Sequence, residues 1–86
     1  MVVTRTQIAE QLIAYLQHRI SLYELVDWAE TAMMDAEFAG SDWETIRSVV
    51  SRLGLADVRA FDLSWRDCEA LLKQLGFRVQ LDIVAA

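Results

Sequence analysis

The sequence predicts a mainly α-helical domain, with four helices in a compact arrangement and a small β element near the C-terminus. Two observations predict the helices. A capping-box pattern, in which a hydroxyl residue precedes an acid or an amide by three positions, occurs four times, and the apolar residues between these starts recur with a helical period. A third observation predicts the β element, because apolar and polar residues alternate through FRVQLDIV at 77–84.

The composition restricts the class of protein further. The chain has 86 residues, of which 55% are hydrophobic and none is proline, so we expect one helical domain over 1–86. The formal charge of -5 opposes binding to nucleic acid, which requires clustered Lys and Arg. The start of the chain lacks a signal-peptide pattern and no apolar run reaches membrane-spanning length, so we expect a cytoplasmic protein with no membrane partner.

The first two helices begin at Thr4, paired with Gln7, and at Ser21, paired with the acid three residues later. We expect the first helix to span about 5–19, with His18 near its end, where a basic side chain complements the helix dipole. The second helix is predicted over about 22–38. Its inward face combines small and apolar residues: Leu22, Leu25, Ala29, Ala32, Met33 and Ala36.

The third helix is predicted over about 42–53, from a capping box formed by Ser41 and Glu44. Gly54 follows its last apolar residue. Because glycine adopts a left-handed conformation at low cost, we expect Gly54 to provide a left-handed C-terminal cap.

The fourth helix follows the same pattern, from Ser64 and Asp67 to a glycine stop at Gly76. Cys68 lies on its apolar face. A free thiol among apolar positions behaves as a small hydrophobe, so we expect Cys68 to be buried and unreactive.

The C-terminal alternation needs a pairing partner. Residues 58–61 could form a short extended segment that pairs with 77–84, which would make the fourth helix the crossover of a small βαβ unit. A two-stranded sheet has open edges, and such an edge would favour association with a second copy of the chain or with a strand of another protein. This predicted oligomer edge consists of Phe77, Val79, Leu81 and Ile83.

The charge is concentrated in one stretch. Between Glu24 and Glu44 there are seven acids and no Lys or Arg, whereas the rest of the chain sums to +2. Two interpretations stay open: a solvated acidic face whose rings pack on the chain's own helices, or a surface that docks a basic protein through aromatic anchors and steering carboxylates. The candidate docking residues are Glu24, Asp27, Trp28, Glu30, Asp35, Glu37 and Phe38, with Tyr23 and Met34 beside them.

The acids in ELVDWAE, at 24–30, are spaced three apart. This spacing resembles the magnesium-binding helical motifs of the all-α nucleotide pyrophosphohydrolases. The second acidic motif of that family is missing, and a metal site needs groups that converge from facing helices. A metal-dependent hydrolase is therefore the least favoured hypothesis, and we expect no catalytic residues and no cofactor.

The stretch AYLQHRISLYELVDWAE, at 14–30, resembles a pattern in small acidic bacterial proteins, some of them like immunity proteins of the colicin D type. The resemblance implies an acidic helical protein that plugs the basic, RNA-binding cleft of a toxin nuclease. The sequence thus predicts a non-catalytic protein-binding domain with a basic protein partner. The alternative is a homo-oligomeric structural domain that associates through its C-terminal strand.

Overall fold

A computed structural model describes residues 2–38, 40–58, 62–80 and 83–85. In chain order its elements are β1 (Val2–Val3), α1 (Arg5–Leu16), α2 (Leu22–Asp35), β2 (Glu37–Phe38), α3 (Trp43–Leu53) and α4 (Trp65–Gln74). The radius of gyration is 12.8 Å, against roughly 12 Å for a compact chain of this length. The predicted compact, mainly helical architecture with four helices is confirmed. The small sheet of the structure pairs β1 with β2 and is not the predicted C-terminal β element. Within the described ranges, no helix has the length and apolarity needed to cross a membrane.

The small sheet is parallel and joins two distant parts of the chain. Val2 pairs with Glu37, and Val3 pairs with Phe38. This pairing corrects the predicted extent of the second helix, which ends at Asp35 instead of Phe38. Ala36 already has an extended backbone, with φ -90° and ψ 150°. The helix stops there because the following backbone pairs with β1, a long-range contact that local periodicity does not reveal.

The predicted C-terminal strand lies partly outside the described residues, because 59–61 and 81–82 are not described. Of the described parts, Val58 lies in a bend, and 77–80 and 83–85 have no regular secondary structure. Phe77 and Val79 are half-buried and pack against the core, whereas Ile83 is 89% exposed. Phe77 and Val79 are therefore less exposed than Ile83, with which they were predicted to share one open edge. Leu81, the fourth residue of that edge, lies outside the described residues.

Three of the four predicted capping boxes are confirmed, at the starts of α1, α2 and α4, with hydrogen bonds of 3.0 to 3.3 Å. The capping box predicted for Ser41 and Glu44 is wrong. Asp42 is the N-cap of α3, and its side chain makes no capping hydrogen bond. Gly40, between β2 and α3, has φ +92°, and α3 begins at Trp43, one residue later than predicted.

The prediction of a left-handed cap at Gly54 is also wrong. Its φ is -64°, in the right-handed region. The chain does not reverse there, since the N–H groups of Leu55 and Ala56 continue the turn by donating to carbonyls three residues back. This continuation buries Ala56 completely. Gly76, in contrast, has φ +92° and ends α4 as predicted.

The end of α1 corrects the interpretation of His18. The helix stops at Leu16, and exposed His18 lies beyond it with φ +61°. The His18 N–H donates to the Tyr15 carbonyl at 3.1 Å, and the Arg19 N–H donates to the Ala14 carbonyl at 2.8 Å. These two bonds form a Schellman motif, in which glycine usually occupies the left-handed position.

The core is formed by the four helices together with β1. Its largest fully buried side chains come from every one of these elements: Val3, Ile8, Leu12, Leu25, Ile46, Val49, Val50, Leu53 and Cys68. The most extensive interhelical contact joins α2 to α3. α2 also contacts α1. The side of α2 that faces away from these helices is exposed.

Arg5 connects the two ends of the chain. Its Nη1 donates to the Leu75 carbonyl at 3.4 Å, and its guanidinium carbon lies 5.6 Å from the centre of the Phe77 ring. The cation thus meets the carbonyl end of α4, where a positive charge is favourable. Arg5 consequently holds the start of α1 beside the end of α4.

Candidate functional site

The candidate site is the outer face of α2. Tyr23 is 72% exposed and Met34 is 82% exposed, and the carboxylates of Asp27 and Glu30 lie between them and are also exposed. At about 100° per residue these four side chains fall within roughly 60° of one another around the helix. They extend along about 16 Å of its axis. We call this set the α2 stripe.

The opposite side of α2 explains why the stripe is exposed. Leu25, Ala29 and Ala32 are fully buried, as expected for the inward face, and Val26 is 2% exposed. The alanines present little bulk, which allows the neighbouring α3 to pack closely. Because the apolar half of the helix is used in this packing, Tyr23 and Met34 are left without an apolar neighbour to cover them.

Trp28 and Phe38 differ from the arrangement that the sequence suggested. Both are half-buried and pack against the core. Trp28 borders the buried face because it lies one turn before Ala32, a spacing that the sequence already contains. Phe38 belongs to β2, so it is not on the helix at all. The strongly exposed apolar side chains of α2 are therefore Tyr23 and Met34. The sequence indicated them only as residues beside the candidate docking residues.

The predicted acidic residues have different roles. The Glu24 carboxylate accepts a hydrogen bond from the Ser21 N–H at 3.1 Å, so it caps α2. Among the described residues, no cationic side chain forms an ion pair with Asp27, Glu30 or Asp35. These acids keep their negative charge exposed on the outer face.

Asp35 and Glu37 extend the acidic surface past the stripe. Asp35 is the last residue of α2, whose last turn contains no basic side chain. An acid at the negative end of the helix dipole is unfavourable, typically by about 0.3 to 1 kcal/mol. Glu37 is exposed on β2, where it pairs through its backbone with Val2. The chain thus keeps negative charge here against a local electrostatic cost.

Two further observations concern the cysteine and metal-binding groups. Cys68 is fully buried, and burial, followed by the negative charge of Asp67, raises the pKa of its thiol to about 11. The thiol is therefore protonated at neutral pH, which disfavours nucleophilic attack. In the described part of the chain, no three or more His, Cys, Asp or Glu side chains come together as a metal-binding group.

No family model, curated protein or solved structure matches this chain. Its function therefore has to be inferred from its own residues.

Proposed function

We propose that this chain is a non-catalytic protein-binding domain whose α2 stripe docks a basic partner protein. One observation supports this proposal above the others: two strongly exposed apolar side chains, Tyr23 and Met34, enclose two carboxylates that form no ion pair with any described residue. Single exposed apolar residues are ordinary on protein surfaces; here two of them flank exposed carboxylates on one face of the same helix. Apolar anchors surrounded by charge are typical of interface hot spots.

The two kinds of side chain would contribute different parts of the binding. Removal of Tyr23 and Met34 from water would provide about 1.5 to 3 kcal/mol for each side chain. The carboxylates would attract a cationic surface and raise the rate of encounter, an effect that salt weakens. The expected complex is consequently sensitive both to apolar truncation and to ionic strength.

The class of partner is proposed from the resemblance of 14–30 to small acidic bacterial proteins, some like colicin D-type immunity proteins. In that arrangement the acids of α2 would occupy a cleft that otherwise binds the phosphates of RNA. A partner nuclease would be inhibited because its substrate is excluded.

The test uses a colicin D-type nuclease domain as the probe and measures its affinity for the chain across a salt series. Glu30→Lys reverses one charge of the stripe, and Glu69→Lys makes the same change on the exposed surface of α4. We expect Glu30→Lys to weaken binding about tenfold or more and Glu69→Lys to change it by less than about threefold. Tyr23→Ala should cost at least about 1 kcal/mol of binding free energy.

Two results would reject the proposal. One is an affinity that does not respond to salt. The other is an equal loss of affinity in Glu30→Lys and Glu69→Lys, which would show that only net charge matters. Circular dichroism of each variant checks that the fold is unchanged.

A further inference from the structure

A second surface, separate from α2, is an apolar groove of about 670 Å³ between α1, α4 and the residues that follow α4. Its apolar lining includes Ile13, Leu16, Trp65, Leu72, Phe77 and Val79. Ile13 is 39% exposed and Trp65 is 47% exposed, so part of this lining contacts water in the single chain. A groove of this size is large enough to hold several side chains.

The chain segment at the rim of the groove has open backbone groups. Residues 77–80 line the groove without forming regular secondary structure. The Phe77 N–H donates to the Leu72 carbonyl, but the N–H groups of Arg78, Val79 and Gln80 have no hydrogen-bond partner among the described residues. Such a segment can accept a further strand by backbone pairing.

Exposed apolar side chains follow the same segment. Ile83 is 89% exposed and Val84 is 83% exposed, the highest exposures among the large apolar residues that the structure describes. Removal of these side chains from water would be favourable. The chain therefore carries exposed apolar side chains a few residues after the rim of an open apolar groove.

The charges of the groove fit a copy of the same chain. Its described lining contains one acid, Glu10, and one base, Arg78. In a two-fold interface each surface meets itself, so Glu10 of one copy can lie opposite Arg78 of the other, twice per dimer. A strongly acidic partner would place a like charge against Glu10, and a strongly basic partner would place one against Arg78. The described lining of the groove contains no residue of the acidic stretch 24–44, and the rest of the chain sums to +2. Two grooves can therefore approach each other without the electrostatic repulsion that two α2 faces would have.

We infer that a second copy of this chain occupies the groove, and that the two copies exchange their Ile83–Val84 segments across a two-fold axis. The 77–80 segments supply backbone hydrogen-bonding groups, and Glu10 and Arg78 pair reciprocally. This dimer leaves the α2 stripe free, so it adds to the proposed binding of a basic partner and does not depend on it.

The test is analytical ultracentrifugation of the chain from micromolar to millimolar concentration. We expect a reversible monomer–dimer equilibrium. The double variant Ile83→Glu/Val84→Glu should be monomeric throughout. At micromolar concentration, where the unmodified chain is also mainly monomeric, the melting temperature of the variant should be unchanged, because both side chains are exposed in the single copy. Leu55→Glu, an exposed apolar position outside the groove lining, serves as the matched control and should dimerise like the unmodified chain.

Charge reversal tests the reciprocal pairing. Glu10→Arg and Arg78→Glu should each weaken dimerisation about tenfold, because each change places like charges opposite each other at two symmetric positions. The double reversal should restore most of the affinity.

Three outcomes would overturn the inference. The first is an unmodified chain that remains monomeric at millimolar concentration. The second is a dimer that persists in Ile83→Glu/Val84→Glu. The third is a double reversal that dimerises no better than either single reversal.

Discussion

The left-handed backbone positions lead to a quantitative prediction, because the chain ends two helices with the same motif and different residues. Beyond α1 the left-handed residue is His18, and beyond α4 it is Gly76. In the α4 motif the N–H groups of Gly76 and Phe77 donate to the carbonyls of Lys73 and Leu72, both at 3.0 Å. The two motifs therefore have the same hydrogen-bond pattern. Replacing His18 by glycine, or Gly76 by alanine, tests what the left-handed backbone conformation costs a residue that has a Cβ.

The magnitudes follow from the backbone angles and the neighbouring atoms. A left-handed conformation costs a residue with a Cβ about 1 to 2 kcal/mol, whereas glycine loses about 0.4 to 1 kcal/mol of stability through the greater entropy of its unfolded chain. The difference predicts that His18→Gly stabilises the fold by about 0.5 to 1 kcal/mol. His18→Ala keeps the Cβ and removes the imidazole, so it should change stability by less than about 0.5 kcal/mol.

Gly76→Ala should act in the opposite direction. Besides the left-handed cost, its Cβ would lie 2.8 Å from Nη1 of Arg5, which would have to move away from the Leu75 carbonyl. We expect a loss of about 1 to 2 kcal/mol. Gly54→Ala provides the matched control, since Gly54 is right-handed and its nearest neighbouring atom would be 3.6 Å away. That variant should gain about 0.5 to 1 kcal/mol.

The assay is urea unfolding followed by far-ultraviolet circular dichroism, with the transition midpoint converted to a free energy of unfolding. A change of 1 kcal/mol corresponds to a shift of about 4 to 8 °C in the melting temperature of a domain of this size. Destabilisation by His18→Gly would contradict this prediction, and so would a change of free energy in the same direction for Gly54→Ala and Gly76→Ala.

Three further predictions concern single ionisable groups. The pKa of the buried Cys68 thiol is raised from 9.0 to about 11, so the unfolded chain releases this proton first and stability should fall as pH rises from about 9 to about 11. Urea titrations at several pH values check this, and Cys68→Ala should lose that part of the dependence. The pKa of Asp67 is lowered by the hydrogen bond from the Ser64 N–H, then by the Ser64 hydroxyl, and also by Arg52. The ionised Asp67 carboxylate therefore stabilises the fold at pH values above the pKa that it has in the unfolded chain. This contribution should be lost as pH falls through the lower pKa of the folded chain, and Asp67→Asn should not show that loss. Asp35→Asn should raise the free energy of unfolding by about 0.3 to 1 kcal/mol because it removes an acid from the end of α2, while it weakens binding to a basic partner. An unchanged or lowered stability would count against this electrostatic interpretation.

The capping boxes show how much of the fold is local. At Thr4, Ser21 and Ser64 the sequence places both partners of each box within four residues, and the structure forms all three. The same pattern failed at Ser41. There α3 follows closely on β2, whose residues pair with Val2 and Val3 near the start of the sequence, so the local pattern is not the whole context.

The sequence predicted which acids lie on the outer face of α2, but it did not predict which apolar side chains are exposed beside them. Glu24, Asp27, Glu30 and Asp35 lie on α2 as expected, because their spacing fixes their side of the helix. The exposure of the aromatic residues of α2 could not be predicted in the same way. Trp28 and Tyr23 are both aromatic residues of α2, and only packing determines that the first is half-buried and the second is 72% exposed.

The sequence by itself determined four helices, three of their starts, the inward face of α2 and the acidity of its outer face. These properties depend on side chains a few residues apart, whose relative positions a helix fixes. Only the tertiary structure decided that Glu37–Phe38 is a strand and that Tyr23 and Met34 are the strongly exposed apolar residues of α2. Each of these depends on contacts between residues distant in sequence, and local spacing contains no information about which distant residues will meet.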